Sequence, residues 1–213
     1  MKTMITYGQK TICSFLEELA GEVPTLPAGG CALALLGALA AALERFVAQL
    51  TLKHNTDQKV REPYETLISR LENLQEKCIE IMDRDVISYE KIIKAIKMSK
   101  LTQQDRARRK TGLQKAKIGA LNPPMMLIDY GLEMLRNAIT LIKEGHDAAV
   151  ADVGVAVEVA HSCIWGGIWT TKANLQGISD KIQVQQKTEI LERFQNEAED
   201  LYAEALQELK KRL

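Results

Sequence analysis

Aromatic side chains are scarce in this chain: Phe, Trp and Tyr together make 5% of its 213 residues. Turn formers are few as well, with 13 glycines and 5 prolines. An all-β chain needs a turn every eight to twelve residues or so and leans on aromatic and β-branched side chains, so the composition argues against one. Net charge is also missing. The 28 Lys and Arg residues balance 28 Asp and Glu, which removes any global pull toward nucleic acid or anionic lipid. None of the four cysteines forms a C-x-x-C pair, and the stretch from Met1 to Gln9 has no apolar leader core. The expectation is a cytoplasmic chain with four reduced, mostly buried thiols at Cys13, Cys31, Cys78 and Cys163. The longest apolar run, Cys31 to Leu43, is too short to span a bilayer and reads as a buried helix.

What is present is helical periodicity. Ile12, Phe15, Leu16 and Leu19 share one face of a short helix from Thr11 to Glu22. Thr25 to Gly30 is a loop, punctuated by Pro27 and a glycine pair. From Cys31 to about His54 the chain is rich in Ala and Leu, which suits a helix central to a bundle. A polar connection from Lys53 to Val60 follows, and Pro63 suits a helix N1 position. Leu67, Leu71, Leu74, Cys78 and Ile81 then carry one apolar seam that resumes at Tyr89, Ile92 and Ile96. After a break over Leu101 to Asp105, Arg106 to Leu121 is a basic helix. Another helix covers Met125 to Lys143, and Asp147 is placed to cap the next, Ala148 to about Thr171, which is apolar enough to be buried all round. Ser179-Asp180 opens a last, highly charged helix. No strand pattern and no repeat occur. The reading is all-α: a single helical bundle of six or seven helices over residues 1–213.

Polar residues that interrupt the apolar seams are the candidates for chemistry. Asp85 lies four residues after Ile81 and four before Tyr89, where the seam calls for an apolar side chain. Asp83 points about 160° away on the same helix and is expected to face solvent. A desolvated carboxyl has a raised pKa, the property a general acid or base needs near neutral pH. A buried Asp held by a Lys or Tyr of another helix fits the same position. Asp152 repeats the pattern among Ala148, Val155, Ala156 and Val159 and needs a partner or a ligand. Gly29-Gly30, ahead of a helix, offers backbone N–H groups to an anion. Glu158-x-x-His161 matches half of a di-iron element, but no second copy exists, so no metal is expected. The basic helix has cations at Arg106, Arg108, Arg109, Lys110, Lys115 and Lys117, either a solvated face or a seat for a polyanionic tail. Without interleaved aromatics it makes a poor nucleic-acid platform.

Four motifs in order carry a resemblance. Leu26-Pro-Ala-Gly-Gly-Cys31, running on to Leu43, resembles the Pro-Gly-Gly-Gly-Ser helix start of the formiminotransferase-cyclodeaminase family, which includes stand-alone methenyltetrahydrofolate cyclohydrolases. Asp83-Arg-Asp85-Val-Ile-Ser-Tyr89 is similar to its Asp-x-Asp-Ala-x-x-Phe motif. Gly145 to Ala156 resembles its Gly-Asn…Ser-Asp…Val-Ala segment, and Gly166 to Leu175 its Asn-Val-x-Ile-Asn-Leu segment. Ala28 stands where the family has its middle glycine, Cys31 where it has Ser, His146 and Thr170 where it has Asn, and Ala151 where it has Ser.

The resemblance implies one-carbon folate chemistry in a homodimer, with a tetrahydrofolate derivative as substrate and no metal or redox cofactor. Hydrolysis of a methenyl group and ring closure with loss of ammonia are both open. The chemistry then falls to the Asp83-x-Asp85 motif, with Asp85 as acid–base group. Asp152 would hold the amino-pyrimidine edge of the pterin. The Gly29 and Gly30 amides, Cys31, Lys53, His54, His146, Thr170 and Asn174 would face the ligand, and Lys100 or Arg109 the glutamate tail. A folate-binding member without catalysis and a helical scaffold remain alternatives, which added folate separates. Neither a nucleic acid nor a membrane is expected as partner.

Overall fold

A computed structural model describes residues 6–21 and 26–213. Among these residues a 3-10 turn at Tyr7–Gln9 precedes seven α-helices, α1 (Ile12–Leu19), α2 (Gly29–Lys53), α3 (Gln58–Ile96), α4 (Gln103–Gly119), α5 (Asn122–Glu144), α6 (Val150–Leu175) and α7 (Lys181–Arg212), and a second 3-10 turn, Asp147–Ala149, leads into α6. No strand occurs among the described residues.

Small residues put α2 at the centre. Ala34, Gly37, Ala38, Ala41 and Ala48 are buried, so the backbones of α3, α5 and α6 approach closely. A Cβ on Gly37 would lie 2.9 Å from Cys78 Sγ of α3. With 25 residues, α2 is long and apolar enough to cross a bilayer, a length the shorter apolar run does not reveal. Its packing among three other helices makes it a core element. The α5–α6 contact is a second close one: Gly131 of α5 faces Ile164, and Gly167 of α6 faces Ile128. Helix α7 runs parallel to α5, tied to it by Arg136–Glu197 and by Lys143–Glu204 at 2.8 Å.

The pairings fix direction. Gly30 meets Asp85 and Gly37 meets Cys78, so α2 and α3 are antiparallel. Thr51 accepts from the His146 amide while Leu33 meets Gly166, so α2 and α6 are antiparallel as well. One end of the bundle therefore gathers the start of α2, the later half of α3, the start of α5 and the end of α6. At 1.5 Å per residue, α3 with its 39 residues is about 58 Å long and α2 about 37 Å. The last turns of α3 overhang the start of α2, and α4 folds back beside them.

Several boundaries differ from the sequence expectation. The long helix opens at Gln58, capped by the Asp57 side chain, and Pro63 lies inside it. The cap before α6 is His146, whose side chain accepts from the Ala148 amide, while Asp147 pairs with Arg212. Helix α1 stops at Leu19 and leaves Ile12 and Leu16 exposed; Glu22 and Thr25 lie outside the described residues. Gly29 and Gly30 belong to the first turn of α2. Helix α6 is not buried all round, because Val155 and Trp169 are 53% and 65% exposed. All four cysteines are free, with Cys13 exposed and the others buried.

Candidate active site

The overhang of α3 creates a pocket of about 310 Å³ at the start of α2. Ala28, Gly29 and Gly30 form one wall, and Asp85, Ser88, Tyr89 and Ile92 of α3 form another. Thr170 and Asn174 from the end of α6, with Ala120 at the α4–α5 corner, complete the enclosure. Among the described residues, Asp85 is the only charged side chain in this lining. Burial raises its pKa, and a weak hydrogen bond from Cys31 opposes that rise. A carboxyl in this setting can release and recover a proton closer to neutral pH than an exposed one.

The α2 N-terminus adds backbone polarity. Its cap residue, Ala28, has no side-chain oxygen to offer, so no side chain caps the first turn. The Gly29 and Gly30 amides, in the first turn, have no intrahelical acceptor, and both residues line the pocket. Asn174 donates from Nδ2 to the Ala120 carbonyl at 3.2 Å. That bond ties the end of α6 to the α4–α5 corner and leaves the carboxamide oxygen as the group Asn174 can offer a ligand.

A larger cleft of about 810 Å³ adjoins the pocket, and Ser88 lines both. Its floor is apolar, with Ile87, Ala95, Met98 and Met126, and its cations are Arg84, Lys91, Lys94 and Lys115. Helix α4 forms the outer wall without burying a residue of its own.

The other sequence candidates are distributed differently. Cys31 is fully buried behind the pocket wall rather than lining it. Asp83 is half-buried and accepts a hydrogen bond from the Tyr7 amide at 3.0 Å, so it fastens the N-terminal turn instead of facing solvent. Lys53 and His54 end α2, about 36 Å from Gly30. His146 packs against His54 there, with ring centroids 4.5 Å apart and the planes tilted by 49°. Asp152 opens α6 at the same far end, about 33 Å from Asn174. None of these four reaches the Asp85 pocket within the protomer. Lys100 and Arg109 do not line the cleft either: the Lys100 carbonyl accepts from Arg106, and Arg109 donates to the Ile96 carbonyl at the end of α3. Lys115 of the basic helix does line the cleft, while Ser88, Tyr89 and the α3 cations Arg84, Lys91 and Lys94 were missed. Their signal was helical spacing, since residues 84, 88, 91 and 95 share the face that continues from Asp85. Glu158 accepts from the Tyr202 hydroxyl, and His161 accepts from Trp165 Nε1.

An all-α bundle with one desolvated carboxyl between a glycine helix start and an Asn-bearing helix end defines a class of small-molecule site. Comparison with known proteins gives that class a name. The family model described as formiminotransferase-cyclodeaminase matches residues 11–193, and the chain belongs to this family. A methenyltetrahydrofolate cyclohydrolase of Methylorubrum extorquens is 27% identical over 90% of this chain and 91% of its own length. A formimidoyltransferase-cyclodeaminase of Sus scrofa is 26% identical over 84% of this chain, which spans 33% of that longer protein. The crystal structure of formiminotetrahydrofolate cyclodeaminase from Thermotoga maritima superposes with a TM-score of 0.85 at 25% identity, covering 95% of this chain and 97% of that one.

Proposed function

We propose that the chain is a one-carbon folate enzyme that hydrolyses 5,10-methenyltetrahydrofolate to a formyltetrahydrofolate. The observation that carries the reading is Asp85, a desolvated carboxyl whose described neighbours in the pocket lining are all neutral. A relative matched over nearly its whole length bears the cyclohydrolase name, which supports water as the co-reactant.

The chemistry follows from one proton carrier. Asp85 as carboxylate takes a proton from water while the oxygen bonds to the cationic methenyl carbon. The product of this step is a neutral carbinolamine beside a neutral Asp85. One carbon–nitrogen bond then breaks, and its electron pair goes to nitrogen. That nitrogen takes the proton from Asp85, and the hydroxyl proton leaves to solvent as the carbonyl forms. Both steps need a group that exchanges a proton near neutral pH. No step calls for a resident cofactor.

The Gly29 and Gly30 amides, Thr170 and Asn174 orient the ring in this reading. The Arg84, Lys91, Lys94 and Lys115 cleft takes the anionic glutamate tail, in place of Lys100 and Arg109. The assembly is a homodimer across the α2–α6 face. Leu39 and Phe46 of α2 are 46% and 49% exposed, and Val155 and Trp169 of the adjoining α6 are exposed as well, more large apolar surface than an ordinary monomer leaves to water. A second copy is the fitting occupant because a two-fold interface is self-complementary.

The test is loss of methenyl absorbance over the uncatalysed background. Turnover in water supports hydrolysis. Release of ammonia from a formimino substrate, with no acceleration of methenyl loss, would replace it with cyclodeamination.

A further inference from the structure

We propose that the Gly30–Cys31 pair in the first turn of α2 is the seat that positions the Asp85 carboxyl, with Cys31 acting through Asp85 and not on the substrate. The proposal rests on the reading of Asp85 as the acid–base group.

Gly30 provides the space. It does not have a positive φ, so its backbone asks for no glycine. A Cβ there would instead overlap all three atoms of the Asp85 carboxyl group. The carboxyl occupies the volume that any other residue at position 30 would fill.

Cys31 sets the surroundings. Its sulfur lies 3.3 Å from the Met82 carbonyl and 3.9 Å from Asp85 Oδ2. A thiol has one hydrogen, and the Met82 carbonyl is the nearer acceptor. Asp85 therefore has a poor donor at its back where a hydroxyl would be a better one. Burial, with the Asp85 charge adding, pushes the Cys31 thiol up to about 12, so it remains neutral and serves neither as nucleophile nor as counter-charge.

The other groups around Asp85 do not compensate. Thr170 and Asn174 from α6 and Ala120 at the α4–α5 corner carry no charge. On α3 itself, Tyr89 is the other titratable side chain of the lining. Arg84 turns to Glu80 at 2.9 Å, and Asp83 is engaged by the Tyr7 amide. How readily Asp85 takes up a proton is thus set by its burial and, against that, by the Gly30–Cys31 turn.

Three variants test this. The midpoint of the Asp85 carboxyl is read by 13C NMR in the ligand-free protein, and beside it the pH profile of kcat/KM. In Cys31→Ser the hydroxyl donates better to the carboxylate, so the midpoint and the acid limb of the profile both move to lower pH. In Cys31→Ala the weak thiol donor is gone, and both move to higher pH, by less than the Ser variant moves them down. Gly30→Ala removes a helix glycine and should melt no lower than wild type, yet displacing the carboxyl by about 1 Å lowers kcat on the order of a hundredfold. An Asp85 midpoint that stays put in both Cys31 variants, or full turnover in Gly30→Ala, overturns the proposal. If Gly30→Ala does not fold, the Cys31 pair decides alone. If the wild type turns over no folate, the functional reading fails while the carboxyl titration still decides the seat.

Discussion

Replacing Glu44 with methionine should make this protein more stable. Glu44 sits midway along α2, fully buried, and neither carboxyl oxygen has a hydrogen-bond partner. The Asn137 amide of α5 lies beside it without reaching hydrogen-bond geometry, and its Nδ2 is unpartnered as well. Burial above all pushes the Glu44 pKa well above its ordinary 4.5; the nearby Asn137 amide opposes the rise and the Glu133 charge adds to it. A buried polar group left without a partner costs about 1–3 kcal/mol. Methionine has a similar length and asks for no partner, so Glu44→Met should gain about 1–3 kcal/mol near pH 7. In a chain of this size 1 kcal/mol moves Tm by about 2–4 °C, so the rise is roughly 2–12 °C. The pH dependence has a definite sign. The folded state holds the proton on Glu44 above the pH at which the unfolded state loses it. The wild type therefore has its full stability below about pH 4.5 and loses part of it as pH rises toward the folded pKa. The advantage of Glu44→Met should be least in acid and widen with pH. Urea unfolding across a pH series reads both quantities. A variant less stable than wild type at pH 7, with an unchanged pH slope, would refute the reasoning by revealing a partner for the carboxyl.

Other expectations follow from packing and assembly. Gly131→Ala puts a Cβ 2.5 Å from Ile164 Cγ1 in the α5–α6 contact, which should lower stability by about 1–3 kcal/mol in thermal unfolding; an unchanged Tm would mean that the two helices part easily. Phe46→Glu places a charge in the α2–α6 face and should convert a dimer to a monomer by light scattering at micromolar concentration. A monomeric wild type would contradict the proposed face. Turnover should survive dialysis against a chelator, and loss restored by one divalent metal would sink the proton-transfer reading.

Much of the fold was legible because its signals are local. Asn122-Pro-Pro124 starts α5 and the Ala-rich run marks the central helix, while Asp85 stands out as a charge in an apolar seam. What a sequence does not contain is which helix ends meet. Lys53 and His54 follow the first motif and His146 and Asp152 lie within the third, yet antiparallel packing carries them to the end opposite Asp85. The same packing brings Thr170 and Asn174 to it from the distal end of α6. The open flank of α6 was hidden for a related reason: a uniformly apolar helix gives no moment to say which side lacks a neighbour. Asp83 was read by angle alone, and the angle could not foresee that the Tyr7 amide folds back onto it. Pro63 marks a helix start by preference, but the Asp57 cap lies farther upstream and prevails.

The central claim is that one desolvated carboxyl moves the proton, and Asp85→Asn tests it most directly. The amide is neutral and nearly isosteric, so it removes proton transfer without burying a new charge. Methenyltetrahydrofolate hydrolysis is measured by absorbance for the wild type, Asp85→Asn and Asp83→Asn, with a melting curve for each. Asp85→Asn should lose turnover by about a hundredfold or more while melting no lower than wild type. Asp83→Asn, which loosens only the N-terminal turn, should keep most of its activity. An Asp85→Asn protein that folds and turns over substrate at the wild-type rate would contradict the claim.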